Sequence, residues 1–343
     1  MTISSVATVG AGRMGLGIAV AYALHGVDVD VIDFKPREAG VFEALETRLR
    51  AELAEVEGQL AELGVTAGQP GDMVDRVRIT PLAAADTVLA AAELVYEAVP
   101  ETLDAKVDAL GRVSQAVPNG IIASTTSSML ATELARYVSR PERFLNAHWL
   151  NPAYISPLVE VSHHEETDAS VTDAVCDSLE GVGKVAVRLA SSPGYIVPRL
   201  QALIMNEAAR MVAEGVAAPE EIDKATRFGL GCRFSALGVL EFIDFGGVEI
   251  LQHADAQMSH DVDRERYEVP EVIDELVAAQ ERGLRDGQGF FDHRVTDASA
   301  YRRGVLARMV ESARHVRGME APVMTASQRF AASDETRAPT NRW

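Results

Sequence analysis

The chain has 343 residues, 47% of them apolar, and a formal net charge of −19 from 51 acidic against 32 basic side chains. That length exceeds what one core organises comfortably and fits two domains, or one large domain with a helical annex. The acidic balance argues against nucleic acid or an anionic membrane surface as the main partner, because both need a basic footprint; any phosphate-bearing ligand has to be met by local features.

The two cysteines, Cys176 and Cys232, lie far apart without metal-ligand spacing, which fits a reducing compartment and no metal site. The first nine residues lack the basic and long apolar regions of a signal peptide, and no apolar run is long enough to span a bilayer. A soluble, cytoplasmic protein is expected.

In chain order, the β-branched run Val6–Val9 leads into Gly10-Ala11-Gly12-Arg13-Met14-Gly15, then an apolar helix over Ile18–Leu24 stopped by His25-Gly26, then a second apolar strand at Val27–Asp33. This is a βαβ unit whose strands should be parallel and buried on both faces. From Glu38 to Gly64, Val41, Leu45, Leu49, Leu53, Val56, Leu60 and Leu63 recur at near-heptad spacing among glutamates. The pattern predicts a helical hairpin protruding from the sheet, with an ordinary amphipathic helix packed on the domain as the equal alternative.

Further strands are predicted at Val77–Thr80, Leu94–Val99, Gly120–Ser124, Arg143–His148, Leu158–Val161 and Val185–Leu189, alternating with helices such as Asp104–Val117 and Asp168–Val182. The alternation implies an α/β, doubly wound Rossmann-type domain over 1–192. After Ser191-Ser192-Pro193-Gly194 only helical patterns remain, giving an all-α domain over 193–321, and 322–343 is polar enough to be a tail. The Leu200, Leu203, Ile204, Met211 and Val212 face is more apolar surface than a small helical domain buries alone, which points to a homodimer formed through it.

The glycine motif follows a strand, opens a helix and is answered by an acid, Asp33, at the end of the next strand; in that context it is a strong dinucleotide signature. Gly10 permits the tight turn, Gly12 the approach of the pyrophosphate and Gly15 close helix packing, so Arg13 and Met14 bring free helix amides to the phosphates. Asp33 accepts from ribose hydroxyls and repels a 2′-phosphate, which favours NAD over NADP. Lys35 and Arg37 stand close by.

Ser124-Thr125-Thr126-Ser127-Ser128 closes one predicted strand, His148-Trp149-Leu150-Asn151-Pro152 closes the next, and Glu160 lies on the one after. Strand ends of this kind line the ligand crevice of open α/β sheets. With GAGRMG, LVYEAVPE ending at Glu101, Lys106, STTSS, HWLNP, LVEV, SPGYIVPR and DGQGFFD, the chain resembles the 3-hydroxyacyl-CoA dehydrogenase family from the glycine turn to about Asp292. The resemblance implies His148 as general acid or base paired with Glu160, Ser127 bonded to the reacting oxygen, and Glu101 and Lys106 beside the cofactor's ribose and nicotinamide. The chemistry is coherent by itself: imidazole exchanges a hydroxyl proton near neutrality, a carboxylate fixes its tautomer, and Ser127 and Asn151 can hold the substrate oxygen.

Three departures bear on the substrate. Pro198 and Thr125 stand where the family usually has asparagines, and the segment that carries basic CoA contacts in the family here holds Glu43, Glu46, Glu52, Glu55, Glu57 and Glu62. The expected substrate is therefore a small 3-hydroxyacyl or 3-ketoacyl molecule, with a free or non-CoA hydroxy acid, as for gulonate and carnitine dehydrogenases, as the alternative. A non-catalytic role, as in lens crystallins derived from this family, is the alternative of a different class, against which the Ser127, His148 and Glu160 set speaks.

Overall fold

The computed structural model describes residues 3–65, 69–295 and 297–319; the expected tail at 322–343 lies outside them. The chain divides into two compact units, Met1–Ala202 and Leu203–Trp343, the division falling beyond the residue 192 expected from the sequence. It falls within a continuous helix, Val197–Ala213.

In the first unit, strands β1 (Val6–Val9), β2 (Val29–Asp33), β3 (Val77–Pro81), β4 (Leu94–Glu97), β5 (Ile121–Ser124), β6 (Phe144–Trp149), β7 (Leu158–His163) and β8 (Val185–Ala190) form one sheet. Its order is β3-β2-β1-β4-β5-β6-β7-β8. The first six strands pair in parallel. Each of those links carries helix: α1 (Arg13–Ala23), α2 (Ala39–Glu62) with α3 (Asp72–Asp75), α4 (Ala85–Ala91), α5 (Leu103–Ala116) and α6 (Ala131–Leu134). The link from β6 to β7, residues 150–157, carries none. It is too short for a crossover, so β7 returns antiparallel to β6. After α7 (Ala169–Gly181), β8 pairs parallel to β7.

Strand alternation feeds two cores. Val29, Val31, Leu94 and Tyr96 meet Ile18 and Tyr22 of α1 and Val175 and Leu179 of α7. On the other face Ala7, Val9, Ile32 and Val95 meet Leu89 of α4 and Leu110 and Val113 of α5. The segment predicted to protrude does not stand off the sheet. Leu49, Leu53 and Leu60 of α2 join the first core and are each 1% exposed; burial of this kind stabilises by about 1.5–3 kcal/mol per side chain. The return arm is only the four residues of α3, whose start is fastened where Glu57 accepts from the Gly71 and Met73 amides at 2.7 and 2.9 Å.

The second unit is helical. It takes the C-terminal part of α8 (Val197–Ala213), then α9 (Pro219–Ala225), a π-helical stretch Thr226–Gly231, α10 (Cys232–Phe234), α11 (Val239–Gly246), α12 (Val248–Asp261), α13 (Arg264–Tyr267), α14 (Glu271–Ala278) and α15 (Ala298–Gly318). Its buried apolar residues include Ile222, Leu237, Val248, Ile273 and Val305. The Asp286–Asp292 loop folds around the buried Asp244 carboxylate, which accepts from the Phe290 and Phe291 amides at 3.0 and 2.8 Å and meets His293 at 3.0 Å. Among the described residues no helix is long and apolar enough to cross a membrane, and no group of three or more His, Cys, Asp or Glu is placed to hold a metal ion.

Candidate active site

Gly10 ends β1 at φ +115° and donates its amide to Ile32 O at 2.9 Å. A Cβ there would sit 2.5 Å from the Ala98 carbonyl oxygen, and one on Gly15 would strike the Gly10 carbonyl. A Cβ on Gly12 would meet nothing within 4 Å, so its absence leaves the approach to the helix open. The first-turn amides of α1 have no partner in the preceding turn, and that turn holds no acidic side chain to compete for them.

Over this turn lies a cavity of about 520 Å³ lined by Gly10, Gly12, Arg13, Met14, Asp33 and Arg48 among others. Asp33 is buried at the end of β2 and paired with Arg37, whose second nitrogen approaches the other carboxylate oxygen at 3.4 Å. A bare glycine turn, free helix amides and an acid on the neighbouring strand fit a dinucleotide. NAD would be held by Gly10, Gly12 and Gly15 with the Arg13 and Met14 amides at its phosphates, and by Asp33 at its ribose.

The antiparallel return of β7 makes His148 and Glu160 direct cross-strand partners. His148 Nδ1 lies 2.8 Å from Glu160 Oε2, and both residues are buried. Glu160 Oε1 accepts the amides of Ile196 and Val197 at 2.8 and 2.9 Å, so the same carboxylate tethers the start of α8. Burial pushes the Glu160 carboxyl up, but the hydrogen bonds from His148, Val197 and Ile196 outweigh it and hold it below the usual range.

Glu101 organises the serine and threonine loop after β5. It accepts from the Thr126 hydroxyl at 2.5 Å, from the Ser127 and Ser128 amides at 2.9 and 3.1 Å, and from the Ser128 hydroxyl at 2.8 Å. Burial opposes its charge, yet the Thr126 bond, Lys106 and the Ser128 and Ser127 donors hold the carboxyl at about 2. Lys106 is fully buried, 3.1 Å from both oxygens of Glu97 and 3.3 Å from Glu101. It thus sits beneath Glu101. Ser127 is exposed on the loop, and Asn151 is exposed on the link after β6.

The structure therefore brings His148 and Glu160 into contact, and Ser127 and Lys106 into one network through Glu101; it shows no bond from Asn151 to either group. Sequence reasoning missed Glu97, which also accepts from the Ser124 hydroxyl at 2.6 Å and the Val99 amide at 2.9 Å. It also missed Tyr195, whose ring stacks on His148. An acid in the interior of a predicted buried strand was the signal for Glu97; a buried charge needs a partner, and Lys106 supplies it.

Comparison with known proteins identifies the family. The model of the 3-hydroxyacyl-CoA dehydrogenase NAD binding domain matches residues 5–192, and that of the 3-hydroxyacyl-CoA dehydrogenase C-terminal domain matches 194–293. The chain is 33% identical to an L-carnitine dehydrogenase of Pseudomonas aeruginosa over 84% of this chain and 87% of that protein. It is 29% identical to a 5-formyl-3-hydroxy-2-methylpyridine 4-carboxylate 5-dehydrogenase of Mesorhizobium japonicum, over 93% of this chain and 100% of that protein. The crystal structure of a 3-hydroxyacyl-CoA dehydrogenase from Archaeoglobus fulgidus is similar at TM-score 0.73 and 27% identity, covering 92% of this chain and 99% of that one. With both domain models matched in sequence order, the chain belongs to the 3-hydroxyacyl-CoA dehydrogenase family, NAD-dependent dehydrogenases that act on a hydroxyl-bearing carbon.

Proposed function

We propose that the chain interconverts a 3-hydroxy and a 3-keto acid or acyl group, with His148 as general acid and base and Glu160 as its partner. The observation that carries this reading is the buried 2.8 Å pair between His148 Nδ1 and Glu160 Oε2. A carboxylate at Nδ1 fixes the proton there and leaves Nε2 to exchange one with the substrate hydroxyl. As the proton arrives, the charge on Glu160 stabilises the imidazolium. Bound NAD would supply the acceptor for the hydride that leaves the alcohol carbon. Ser127 and Asn151 would hold the substrate oxygen, and Glu101 and Lys106 would set the loop that presents Ser127.

The test is His148→Gln. NADH binding, read by fluorescence titration, should be unchanged, while kcat falls by about 10²- to 10⁴-fold, the scale of general acid and base catalysis. Glu160→Gln should lower kcat in the same sense but less. Near wild-type turnover in His148→Gln would defeat the mechanism.

A second reading concerns the carrier, and α2 favours it. Glu52, Glu55 and Glu62 are exposed along one side of it, with Glu43 exposed on the other. Arg50 is engaged by Glu46 at 3.1 Å, and Arg48 lines the dinucleotide cavity. This face repels the phosphates of CoA, which supports a free hydroxy acid as substrate. Two of the similar proteins bear names that specify no CoA ester, the carnitine dehydrogenase and the pyridine carboxylate dehydrogenase. We further infer a homodimer, since Leu200, Leu203, Ile204 and Met205 of α8 remain 42–67% exposed.

A further inference from the structure

The turn between β8 and α8 contains a tyrosine that the mechanism above does not use. Tyr195 is 5% exposed and adopts φ +47°, a left-handed conformation that a bulky residue occupies only where its surroundings hold it. Two sets of contacts do so. Its ring lies on the His148 imidazole, centroids 4.6 Å apart and planes 21° from parallel. Its hydroxyl donates to the Thr126 carbonyl at 2.8 Å and accepts from Asn146 Nδ2 at 3.1 Å. Asn146 Nδ2 also donates to the Met129 carbonyl at 3.0 Å, so Asn146 and Tyr195 together clamp the loop that carries Ser127 to strand β6.

We propose that Tyr195 is a positioning residue with two separable tasks, resting on the acid and base role of His148. The ring confines the imidazole plane so that Nδ1 stays on Glu160 and Nε2 stays aimed at one place. The hydroxyl fixes the Ser127 loop relative to that nitrogen. The next two residues, Ile196 and Val197, bind Glu160 through their amides. One turn of chain thus holds the imidazole by its face, the carboxylate by its second oxygen and the serine loop by a carbonyl. The two partners of a proton transfer have to meet at hydrogen-bond distance, and a displacement of about 1 Å can cost on the order of a hundredfold.

The experiment compares Tyr195→Phe, Tyr195→Leu and His148→Gln in the full chain. NADH consumption is followed with whichever of acetoacetate and acetoacetyl-CoA is reduced faster, alongside NADH affinity and the downfield proton spectrum of the His148 Nδ1–H, identified by its loss in His148→Gln. Tyr195→Leu should lower kcat about ten- to a hundredfold and broaden or shift the downfield signal, with NADH affinity intact. Tyr195→Phe keeps the ring; it should hold kcat within about threefold and keep the signal, while KM rises severalfold as the Ser127 loop loosens. Wild-type kcat and an unchanged signal in Tyr195→Leu, with His148→Gln inactive, would overturn the positioning role alone. An active His148→Gln would instead remove the reading beneath it. If Tyr195→Leu does not fold, Tyr195→Phe decides: a retained signal with raised KM supports the proposal, and lost kcat at unchanged KM overturns it.

Discussion

At Glu101, one side chain gathers four donors and an ammonium onto a carboxylate that still faces solvent in part. Its carboxyl is held at about 2, whereas a glutamate in the unfolded chain takes its proton near ~4.3. The folded state therefore binds the proton less readily, and the stabilisation is complete above the unfolded value and lost as pH falls from there toward 2. Thermal melts of wild type and Glu101→Gln should show the largest difference at neutral pH, narrowing between about pH 4 and pH 2. A gap independent of pH would contradict this network. The residue types of the site were legible in the sequence, because GAGRMG and HWLNP each place a chemically distinctive group at a strand end and LVEV places an acid within a strand. The stacking of Tyr195 was not, since an aromatic after Pro-Gly carries no period that aims it at a histidine more than forty residues earlier.

At the scale of the element, α2 and the β6–β7 pair decide different things. The acidic stripe of α2 bears on the substrate handle: CoA presents several negative charges, and each basic contact on such a ligand contributes about one kcal/mol or more when partly desolvated. One 3-hydroxyacyl group should be compared on CoA, on a short pantetheine thiol and as the free acid, using kcat/KM. The free acid and short thioester should compete well; a preference for full CoA above about a hundredfold, or roughly 2.7 kcal/mol, would exclude the charge argument. The pairing of β6 with β7 is where local geometry turned a motif into a site. Apolar residues marked both strands, but the eight residues between them set the direction of return, and direction placed His148 opposite Glu160.

For the whole molecule, the exposed apolar residues of α8 lead to the expectation of a homodimer. Light scattering coupled to size exclusion should give twice the chain mass, and Leu203→Glu with Met205→Glu should shift the protein toward monomer; a well-behaved wild-type monomer would contradict it. A stable interface needs roughly 1,600 Å² of buried surface, which a few exposed side chains on one helix begin but do not complete. The amino-acid order by itself determined the alternation of strands and helices, the glycine turn, the acid at Asp33 and the residues able to exchange a proton, because these depend on periodicity and on chemistry carried by single side chains. Only the tertiary structure decided that α2 lies down on the core, that Lys106 is buried between Glu97 and Glu101, and that Glu160 serves His148 and α8 together. Those outcomes depend on which faces meet and which buried charges find partners, and distance along the chain does not fix either.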